Sequence, residues 1–391
     1  MSSLKIKLTN IENPFIKTVC DHLINYPTPS NLNYSYSFGS LAGLFYFLQI
    51  VTGFLLAMHY TPEIDAAFDS VINLTHNISN GWWLRYLHVN GASMIFIMIY
   101  LHIGRALYFQ SYLGKQATVW RSGIILMLLM MATAFIGYVL PWGQMSLWGA
   151  TVITNFVTAI PYVGNKVVHW IWGGYSVSGA TLSRFYSLHY LLPFVILSII
   201  FSHLILLHQV GSTNPAQTKT YDTIDFHNNF TYKDTFAFTI SIFLFIYLVF
   251  FKPNLLGHPD NYIPANPLVT PIHIVPEWYF TPFYAILRSC SSKLGGVLSM
   301  LFSILILFLL PFNSYFQKSY QELSAKSNLH KIFLGIFCIT FLLLIYLGCQ
   351  PASEPFIKFS QVYTIVYFCY FATIIFSISG VCNHTYYEAK S

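Results

Sequence analysis

Charged residues are scarce in this chain of 391 residues, because Asp, Glu, Lys and Arg together make up only 8% of it. A soluble domain of ordinary composition spends about a quarter of its residues on charge. Apolar residues make up 55%, so a soluble fold of this length lacks the charge to cover its surface. The composition therefore excludes an ordinary soluble protein. It predicts a protein whose solvent is the lipid bilayer, and we expect no nucleic-acid partner.

Closely spaced cysteines are also missing. The six cysteines are scattered, and none belongs to a C-x-x-C pair. This distribution argues against a zinc site, a cysteine-ligated iron–sulfur cluster and covalent haem attachment. The N-terminal stretch has no apolar run before Leu41, so we expect neither a cleavable secretory signal nor a classical transit peptide. Insertion into the membrane is expected to depend on the spanning helices themselves.

Long apolar stretches predict an all-α integral membrane fold with eight transmembrane helices. Two long connections, 142–175 and 252–290, are rich in Trp, Pro, Gly and His and are predicted to form surface helices on one side of the membrane. The predicted spans, called the first to the eighth, are 38–59, 82–109, 120–140, 181–209, 235–251, 293–312, 330–348 and 357–380. The predicted parts are an N-terminal surface segment (1–37), a four-helix bundle (38–215) and a C-terminal domain with four further spans (216–391).

The positive charges are distributed unequally across the predicted topology. Twelve of the 19 Lys and Arg residues fall on the side of the N-terminus, and seven fall on the other side. By the positive-inside rule, both termini face the negative, cytoplasm-like side. The two long connections then lie on the positive side.

Four histidines share one spacing. His88 and His102 lie 14 residues apart in the second span, and His189 and His203 lie 14 apart in the fourth. Fourteen residues make nearly four helical turns, so each pair occupies one helix face about 21 Å apart. The two spans run in the same direction, which sets His88 level with His189 and His102 level with His203. Two facing imidazoles at each level suit a six-coordinate haem iron that transfers electrons and has no open site for oxygen.

A second interpretation of these histidines is that they are hydrogen-bonded groups between packed helices. Two equally spaced pairs argue against it, because burying each imidazole in a membrane costs free energy. Glycines in the first and third spans repeat the same spacing and would allow close approach at both levels; ordinary helix packing also uses glycine. These are Gly39, Gly53, Gly123 and Gly137. Arg85 and Arg105 lie at the outer ends of the two levels, where they can pair with haem propionates or act as interfacial anchors.

Five stretches of the sequence resemble the cytochrome b family of mitochondrial quinol–cytochrome c reductase (bc1) complexes. The resemblance runs from about residue 37 to residue 380 and also extends to the chloroplast cytochrome b6, which differs in histidine spacing and in having a separate C-terminal half. The stretches are SFGSLAG, LAMHYTP, GYVLPWGQMSLWGATVITN, HPDNYIPANPLVTPIHIVPEWYF and FYAILRS.

The resemblance implies two haems b and two quinone sites. His88 and His189 would ligate the iron of haem bL, and His102 and His203 that of haem bH. The implied positive-side site oxidises ubiquinol, and its residues are Tyr138, Gly149, Pro276, Glu277, Tyr279 and Tyr284, with Met131 and Phe135 as an apolar wall. The implied negative-side site reduces quinone, and its residues are Ser40, His208, Lys233 and Asp234.

The chemistry of the two quinone sites explains the residue types. Quinol oxidation releases protons that Glu277 can accept, and quinone reduction takes up protons that His208 and Asp234 can relay. Capping of a surface helix by Glu277 and a helix start at Asp234 are the structural alternatives. Lys233 is alternatively a positive-inside charge.

The resemblance also implies a location and partners. One electron from quinol would pass through both haems to the negative-side site and the other to a Rieske iron–sulfur protein, in a Q cycle coupled to proton translocation. Cytochrome c1 and other complex III subunits are the further expected partners, in a homodimeric complex of the mitochondrial inner membrane with both termini in the matrix.

Three other functions remain open from the residues alone. A di-haem membrane anchor for a dehydrogenase explains the histidines but not the second half of the chain. A transporter or receptor without redox chemistry would use the histidines as polar contacts between helices. A structural scaffold fits only the later spans.

Overall fold

The structure is a computed structural model that describes residues 13–216, 222–316 and 328–388. Almost all of its regular structure is helical, as the composition predicts. The helices are α1 Pro14–Leu23, α2 Phe38–Ala57, α3 Ile64–Asn77, α4 Gly81–Tyr108, α5 Ala117–Val139, α6 Gln144–Asn155, α7 Gly164–Trp172, α8 Gly179–Val210, α9 Phe226–Phe251, α10 Thr281–Arg288, α11 Lys293–Leu305, α12 Asn328–Gly348 and α13 Phe356–Glu388. Two short strands, β1 Pro27–Pro29 and β2 Thr223–Asp225, pair antiparallel.

Seven helices in the described part of the chain are long and apolar enough to cross a membrane. They coincide with the first seven predicted spans, so the chain is a multi-pass membrane protein. The fifth span was predicted too short, because α9 begins at Phe226 rather than at 235. Polar residues occupy the first turns of α9. One of them, Lys233, is accommodated in the helix because its ammonium group donates to the carbonyl oxygen of Leu32 at 2.9 Å.

The eighth predicted span, 357–380, lies within α13, a helix of 33 residues. Its first turns contain Lys358, Ser360 and Gln361. Ser360 is buried, and the Gln361 amide donates to the carbonyl oxygen of Ser289 at 3.0 Å. These polar groups therefore serve contacts within the protein.

Four helices, α2, α4, α5 and α8, form the bundle that carries the histidines. α2 packs mainly against α4, and α5 mainly against α8. One apolar cluster joins α2 and α4 to α8 and α9 through Phe45, Met94, Ile196 and Phe245. Burial of such side chains contributes about 1.5–3 kcal/mol each in water-based accounting; within lipid, close packing replaces that driving force.

The C-terminal helices form a second cluster against the ends of α4 and α5. Its buried residues come from α5, α10, α12, α13 and the 3₁₀ segment Ile306–Phe316 that continues α11. The Trp120 indole donates to the carbonyl oxygen of Leu307 at 2.8 Å, and the Arg288 guanidinium donates to that of Leu347 at 2.8 Å. The Trp120 bond therefore attaches the C-terminal helices to the bundle in addition to apolar packing, and the Arg288 bond joins α10 to α12.

The two long connections pack against each other at one end of the bundle, as predicted. The first contains α6 and α7, and the second contains α10 and a short 3₁₀ turn at Pro259–Tyr262. The Asn261 side-chain oxygen accepts from the backbone and the hydroxyl of Ser146, both at 2.9 Å. Gln144 bonds with the backbone of Asn266 and Val269. This network fixes the second connection relative to the end of α5.

The N-terminal segment is attached to the opposite end of the bundle. β1 pairs with β2, with Thr28 opposite Ile224. The Asn31 amide donates to the side-chain oxygen of Asn214 at 2.8 Å. Together these contacts hold α1 beside the connection between α8 and α9.

Candidate cofactor and substrate sites

The first pair of histidines faces across the bundle. The ring centres of His88 and His189 lie 6.3 Å apart, and their planes are inclined by 84°. An iron bound to both rings, with bonds of about 2 Å and ring centres about 1 Å beyond each nitrogen, needs ring centres about 6 Å apart. The observed separation fits such a ligand pair. At the other level, His203 lies close enough to His102 for its charge to act on that ring.

Each of the four glycines lies against one of the four histidines. A Cβ atom built on Gly53 would lie 3.0 Å from Cε1 of His88, and one on Gly137 would lie 2.5 Å from Cε1 of His189. At the second level, the corresponding distances are 3.0 Å from Gly39 to His102 and 3.4 Å from Gly123 to His203. The glycines therefore make room for the imidazole rings themselves. The sequence alone predicts that they make room for the haem macrocycle instead.

Hydrogen bonds fix the protonation of both rings at the first level. Thr52 donates its hydroxyl hydrogen to the carbonyl oxygen of Leu48, so its oxygen can only accept from Nδ1 of His88, at 2.9 Å. His189 Nδ1 lies 2.9 Å from the carbonyl oxygen of Thr133, which is also an acceptor. Both rings therefore carry their proton on Nδ1 and leave Nε2 as the metal-binding nitrogen.

The second level repeats this arrangement at one ring and departs from it at the other. Ser122 donates to the carbonyl oxygen of Val119 and accepts from Nδ1 of His203 at 2.8 Å. At His102 the partner is the Arg105 guanidinium, 3.2 Å from Nδ1, which can only donate. In this arrangement the proton of His102 sits on Nε2. Coordination through Nε2 requires Arg105 to turn toward another acceptor.

The two arginines at the outer ends lack anionic partners in the described part of the chain. Arg85 is 9% exposed and lies over the Tyr262 ring at 4.8 Å from its centroid. Arg105 lies over the Tyr36 ring at 4.7 Å, and its buried Nε makes no hydrogen bond to any described residue. Arg85 makes a long bond of 3.5 Å to the Thr75 hydroxyl, and Arg105 donates to Nδ1 of His102. A buried guanidinium without an anionic partner is costly. Haem propionates would supply that negative charge to both groups, and the residues present therefore fit two haems b.

A cavity of about 270 Å³ joins the first histidine pair to the positive-side connection. It is lined by His88 and His189 and also by Tyr138, Glu277 and Tyr279. The Trp278 indole donates to the Ser93 hydroxyl at 3.1 Å, and the Tyr279 ring stacks on Phe96 with centres 4.0 Å apart. These contacts attach the 277–279 turn to α4. Glu277 thereby faces the same cavity as the histidine pair.

A second cavity of about 210 Å³ lies between α5, α6 and α10 and is almost entirely apolar. It is lined by the remaining residues predicted for quinol oxidation: Met131, Phe135, Gly149, Pro276 and Tyr284. A Cβ atom on Gly149 would meet no atom within 4 Å, so this glycine keeps part of the wall open. The residues predicted for quinol oxidation thus divide between a cavity that contains the histidine pair and several polar groups and a second, almost entirely apolar cavity.

Glu277 is the acidic group at the boundary between these surroundings. It is 8% exposed, and burial raises the pKa of its carboxyl to about 7, with the nearby Tyr138 hydroxyl offsetting part of the increase. The Tyr138 hydroxyl is buried without a well-formed hydrogen bond to any described residue. No side-chain bond from Glu277 caps α10, since the residue at that helix's N-cap is Phe280. The capping alternative is therefore excluded.

The residues predicted for the negative-side site lie at the other end of the bundle. Ser40 is in the first turn of α2 and donates to the carbonyl oxygen of Ser37 at 2.9 Å. His208 lies in the last turn of α8, and Asp234 lies two turns inside α9. The helix-start alternative for Asp234 is therefore wrong. The described contacts of these residues do not join them directly into one cluster.

Several site residues were not predicted from the sequence. Thr52, Ser122 and the backbone of Thr133 fix three ring protons. Thr52 and Ser122 each adjoin one of the spaced glycines, and that position is the signal that could have identified them. His22 contacts His208 across 186 residues of sequence, and no local pattern indicates this contact.

The fold and these sites define a multi-pass membrane protein whose helix bundle presents two histidine pairs suited to haem. A model of the family described as Cytochrome b/b6/petB matches residues 23–211, and one described as Cytochrome b(C-terminal)/b6/petD matches residues 264–368. The chain belongs to the cytochrome b family, whose members bind haem b.

Similar proteins come from bacteria and from organelle-bearing organisms. The chain is 55% identical to a cytochrome b of Rickettsia conorii over 350 residues, covering 89% of this chain and 87% of the relative. It is 50% identical to cytochromes b of Chondrus crispus (93% of this chain, 95% of the relative) and Solanum tuberosum (94% and 93%). A solved structure titled "Hyperthermophilic respiratory Complex III" has a TM-score of 0.87 and 31% identity, covering 95% of this chain and 98% of that chain.

Proposed function

We propose that this chain is the cytochrome b subunit of a respiratory complex III and carries its two quinone sites. The observation that carries the proposal is the one-to-one packing of four glycines on four histidines, with Nε2 left for a metal at three of them. The likeness to a solved complex III supports the same assignment. The family match in the C-terminal half, residues 264–368, argues against the di-haem anchor alternative.

The haem ligands are His88 with His189 and His102 with His203, and the count of two follows from these two levels. When bound, haem b accepts and passes on one electron at a time. The protein's contribution is to orient the imidazoles and exclude water. It also places Arg85 and Arg105 where propionates need a cation.

Quinol oxidation takes place where the apolar cavity meets Glu277. A quinol ring would lie against the apolar wall formed by Met131 and Phe135, next to Pro276. Glu277 follows Pro276 and lines the neighbouring cavity of the histidine pair, and it is the proposed acceptor for the quinol hydroxyl. Because burial raises the pKa of that carboxyl to about 7, it can accept a proton and release it near neutral pH. The cavity of the histidine pair, which also contains Tyr138 and Arg85, is the proposed exit toward the positive side.

Quinone reduction takes place at the opposite end, between His208 and Asp234. Their imidazole and carboxylate are suited to bind the two polar ends of a quinone and to transfer protons. Ser40 is proposed as a further contact, whereas the Lys233 ammonium already donates to Leu32. An electron that moves inward from the positive side works against the membrane potential, about 2.3 kcal/mol per charge per 100 mV. This movement couples the reactions to proton translocation in a Q cycle.

The proposed partners are a Rieske iron–sulfur protein, cytochrome c1 and a second copy of the complex. This chain lacks C-x-x-C pairs, so the other subunits must carry the iron–sulfur cluster and the site for cytochrome c. We place the protein in the mitochondrial inner membrane because of the family resemblance, with both termini in the matrix because of the charge bias. The Rickettsia relatives make a bacterial membrane the competing location, and fractionation with protease protection distinguishes the two. The three-part division at residues 37 and 215 is likewise proposed.

A difference spectrum of the purified complex tests the function. Dithionite reduction and a pyridine haemochrome assay should give two haems b per chain, and ubiquinol should reduce both. A single haem, or haems that ubiquinol does not reduce, would contradict the proposal.

A further inference from the structure

The histidine at the end of α8 is joined to a second histidine from the N-terminal segment. Nδ1 of His22 and Nδ1 of His208 lie 2.7 Å apart, and the ring planes are inclined by only 22°. The ring centres are 5.0 Å apart, close to the nitrogen separation plus about 1 Å within each ring. The two rings therefore meet edge to edge, with the hydrogen bond close to both ring planes, which is favourable geometry.

The surroundings fix His208 and leave His22 open to water. The Tyr26 ring stacks on the face of His208, with centres 4.2 Å apart and planes inclined by 16°. His208 is half-buried, whereas His22 is exposed. α1 is held in this position because the backbone N–H groups of Phe226 and His227 donate to the carbonyl oxygens of Tyr26 and Ile24. The dyad thus runs from the aqueous surface toward the end of the bundle.

The hydrogen bond permits one proton between the two Nδ1 atoms. If Nδ1 of His22 donates, neutral His208 carries its other proton on Nε2 and can donate it to a quinone oxygen. If Nδ1 of His208 donates instead, its Nε2 is bare and can accept a proton from quinol. Within the part of the chain that the structure describes, Nε2 of His208 has no hydrogen-bond partner.

We propose that His22 and His208 form a proton relay that supplies the quinone-reduction site from the negative-side water. The proposal rests on the function assigned above to His208. Water protonates Nε2 of His22, the Nδ1 proton of His22 passes to Nδ1 of His208, and the Nε2 proton of His208 passes to the quinone oxygen. One proton enters, one leaves, and both rings end neutral with their tautomers exchanged. The electron comes from the established carriers of the complex.

Among the described ionisable groups near this end of the bundle, His22 is the one placed to exchange a proton with His208. Its charge acts on the His208 ring. Tyr26 faces the His208 ring from the same segment. On the adjoining elements, Lys115 and His227 are exposed, and Nδ1 of His227 bonds with the Thr231 hydroxyl at 3.1 Å.

The test uses the intact complex with the positive-side site inhibited, so that ubiquinol reduces haem only through the negative-side site. His22→Ala removes both the hydrogen bond and the relay. His22→Asn keeps a group that can hydrogen-bond with Nδ1 of His208 but cannot pass a proton on. His227→Asn, at an exposed histidine of the same end, is the matched control.

Both His22 variants should lose at least about tenfold in rate, with the control unchanged. In this assay the quinol gives up protons, so the relay carries them outward from His208 to His22. Added imidazole should restore much of the rate in His22→Ala, and the loss should grow as the pH falls, because the deprotonated buffer that accepts the proton becomes scarce. A wild-type rate in His22→Asn would show that His22 only positions His208 and would overturn the relay. Loss without imidazole rescue in His22→Ala would also overturn it. Failure of the wild-type complex to react with ubiquinol at this end would refute the function of the site itself.

Discussion

At the level of His88 and His189, both histidines donate their Nδ1 protons to neutral oxygen atoms, of Thr52 and Thr133. At the level of His102 and His203, only His203 has such a partner, and His102 faces the Arg105 guanidinium. The first level is therefore set for metal binding by the protein alone. At the second level, binding requires a guanidinium to change its partner. One helical repeat thus provides two sites with different degrees of preorganisation.

The groups proposed to transfer protons at the two quinone sites also differ in their exposure to water. Glu277 is buried beside an apolar cavity, whereas His208 reaches water through exposed His22. A buried carboxyl with a raised pKa suits release of protons that arise inside the protein. A solvent-connected histidine pair suits their uptake. The difference agrees with the proposed reactions, in which one site yields protons and the other consumes them.

The largest expected effect comes from removing one ligand at one level. His88→Ala should eliminate the positive-side haem completely and retain the other, and His102→Ala should do the reverse, because each iron needs both of its own imidazoles. Reduced-minus-oxidised spectra with haem quantification measure this. His169→Ala, at an exposed histidine of α7, should keep both haems. Loss of both from either single change would mean that the two levels do not bind independently.

Glu277→Gln is expected to slow quinol oxidation by about a hundredfold, the lower range for a lost acid–base group. In the wild type, the carboxylate that accepts the proton predominates only above its pKa of about 7. The rate should therefore rise with pH through an inflection near 7, and the inflection should vanish in the variant. Steady-state reduction of cytochrome c measures both.

The exposed Glu354, paired with Lys358 at 3.7 Å, provides the matched control for that measurement. Glu354→Gln should keep the rate and the inflection. If Glu277→Gln kept the inflection, the titrating group would lie elsewhere.

A glycine-to-alanine substitution adds one methyl group, and making it at each level compares how tightly the two levels are packed. An alanine Cβ at Gly137 would lie 2.5 Å from His189, whereas one at Gly123 would lie at the ordinary contact distance of 3.4 Å from His203. Gly137→Ala should destabilise its level by about 1–3 kcal/mol, the usual cost of overpacking. Gly123→Ala should be neutral or stabilising by up to about 1 kcal/mol, because alanine favours helix. Thermal loss of each haem band measures the difference, and equal effects would refute the packing argument.

The periodicity of the sequence predicted the bundle, both histidine levels and the glycines, because these features depend on spacing within single helices. The fifth span was predicted too short because hydropathy cannot register that Lys233 finds the Leu32 carbonyl. The eighth predicted span lies on α13, and its first turns make tertiary contacts through buried Ser360 and bonded Gln361. For the fifth span, the missing information is a tertiary partner.

The candidate sites divide in the same way. Glu277 and Tyr138 were found through motifs, and the structure brings them to one cavity with the first histidine pair. His22 was missed because its role depends on the pairing of β1 with β2. Its own neighbours in sequence carry no sign of that pairing. His102 differs from the other three histidines because its Nδ1 accepts a hydrogen bond from Arg105 instead of donating one. This difference was missed because residue spacing does not reveal the direction of a side-chain hydrogen bond.

The smallest expected effect tests the neutral hydrogen bonds that the two levels share. Thr52→Val removes the acceptor of His88 Nδ1, and Ser122→Ala removes that of His203 Nδ1. A less polarised imidazole donates less charge to oxidised iron, so each change should raise the midpoint potential of its own haem only. The lost bond is worth about 0.5–1.5 kcal/mol, which corresponds to tens of millivolts for one electron, since about 59 mV is tenfold. Redox titration of the two haem bands measures this shift.

The shift in potential should be smaller for Thr52→Val than for Ser122→Ala. At the first level, His189 keeps its bond to the Thr133 backbone, whereas at the second level the other ligand, His102, is already perturbed by Arg105. Equal shifts at both levels would mean that Arg105 leaves His102 entirely once haem is bound.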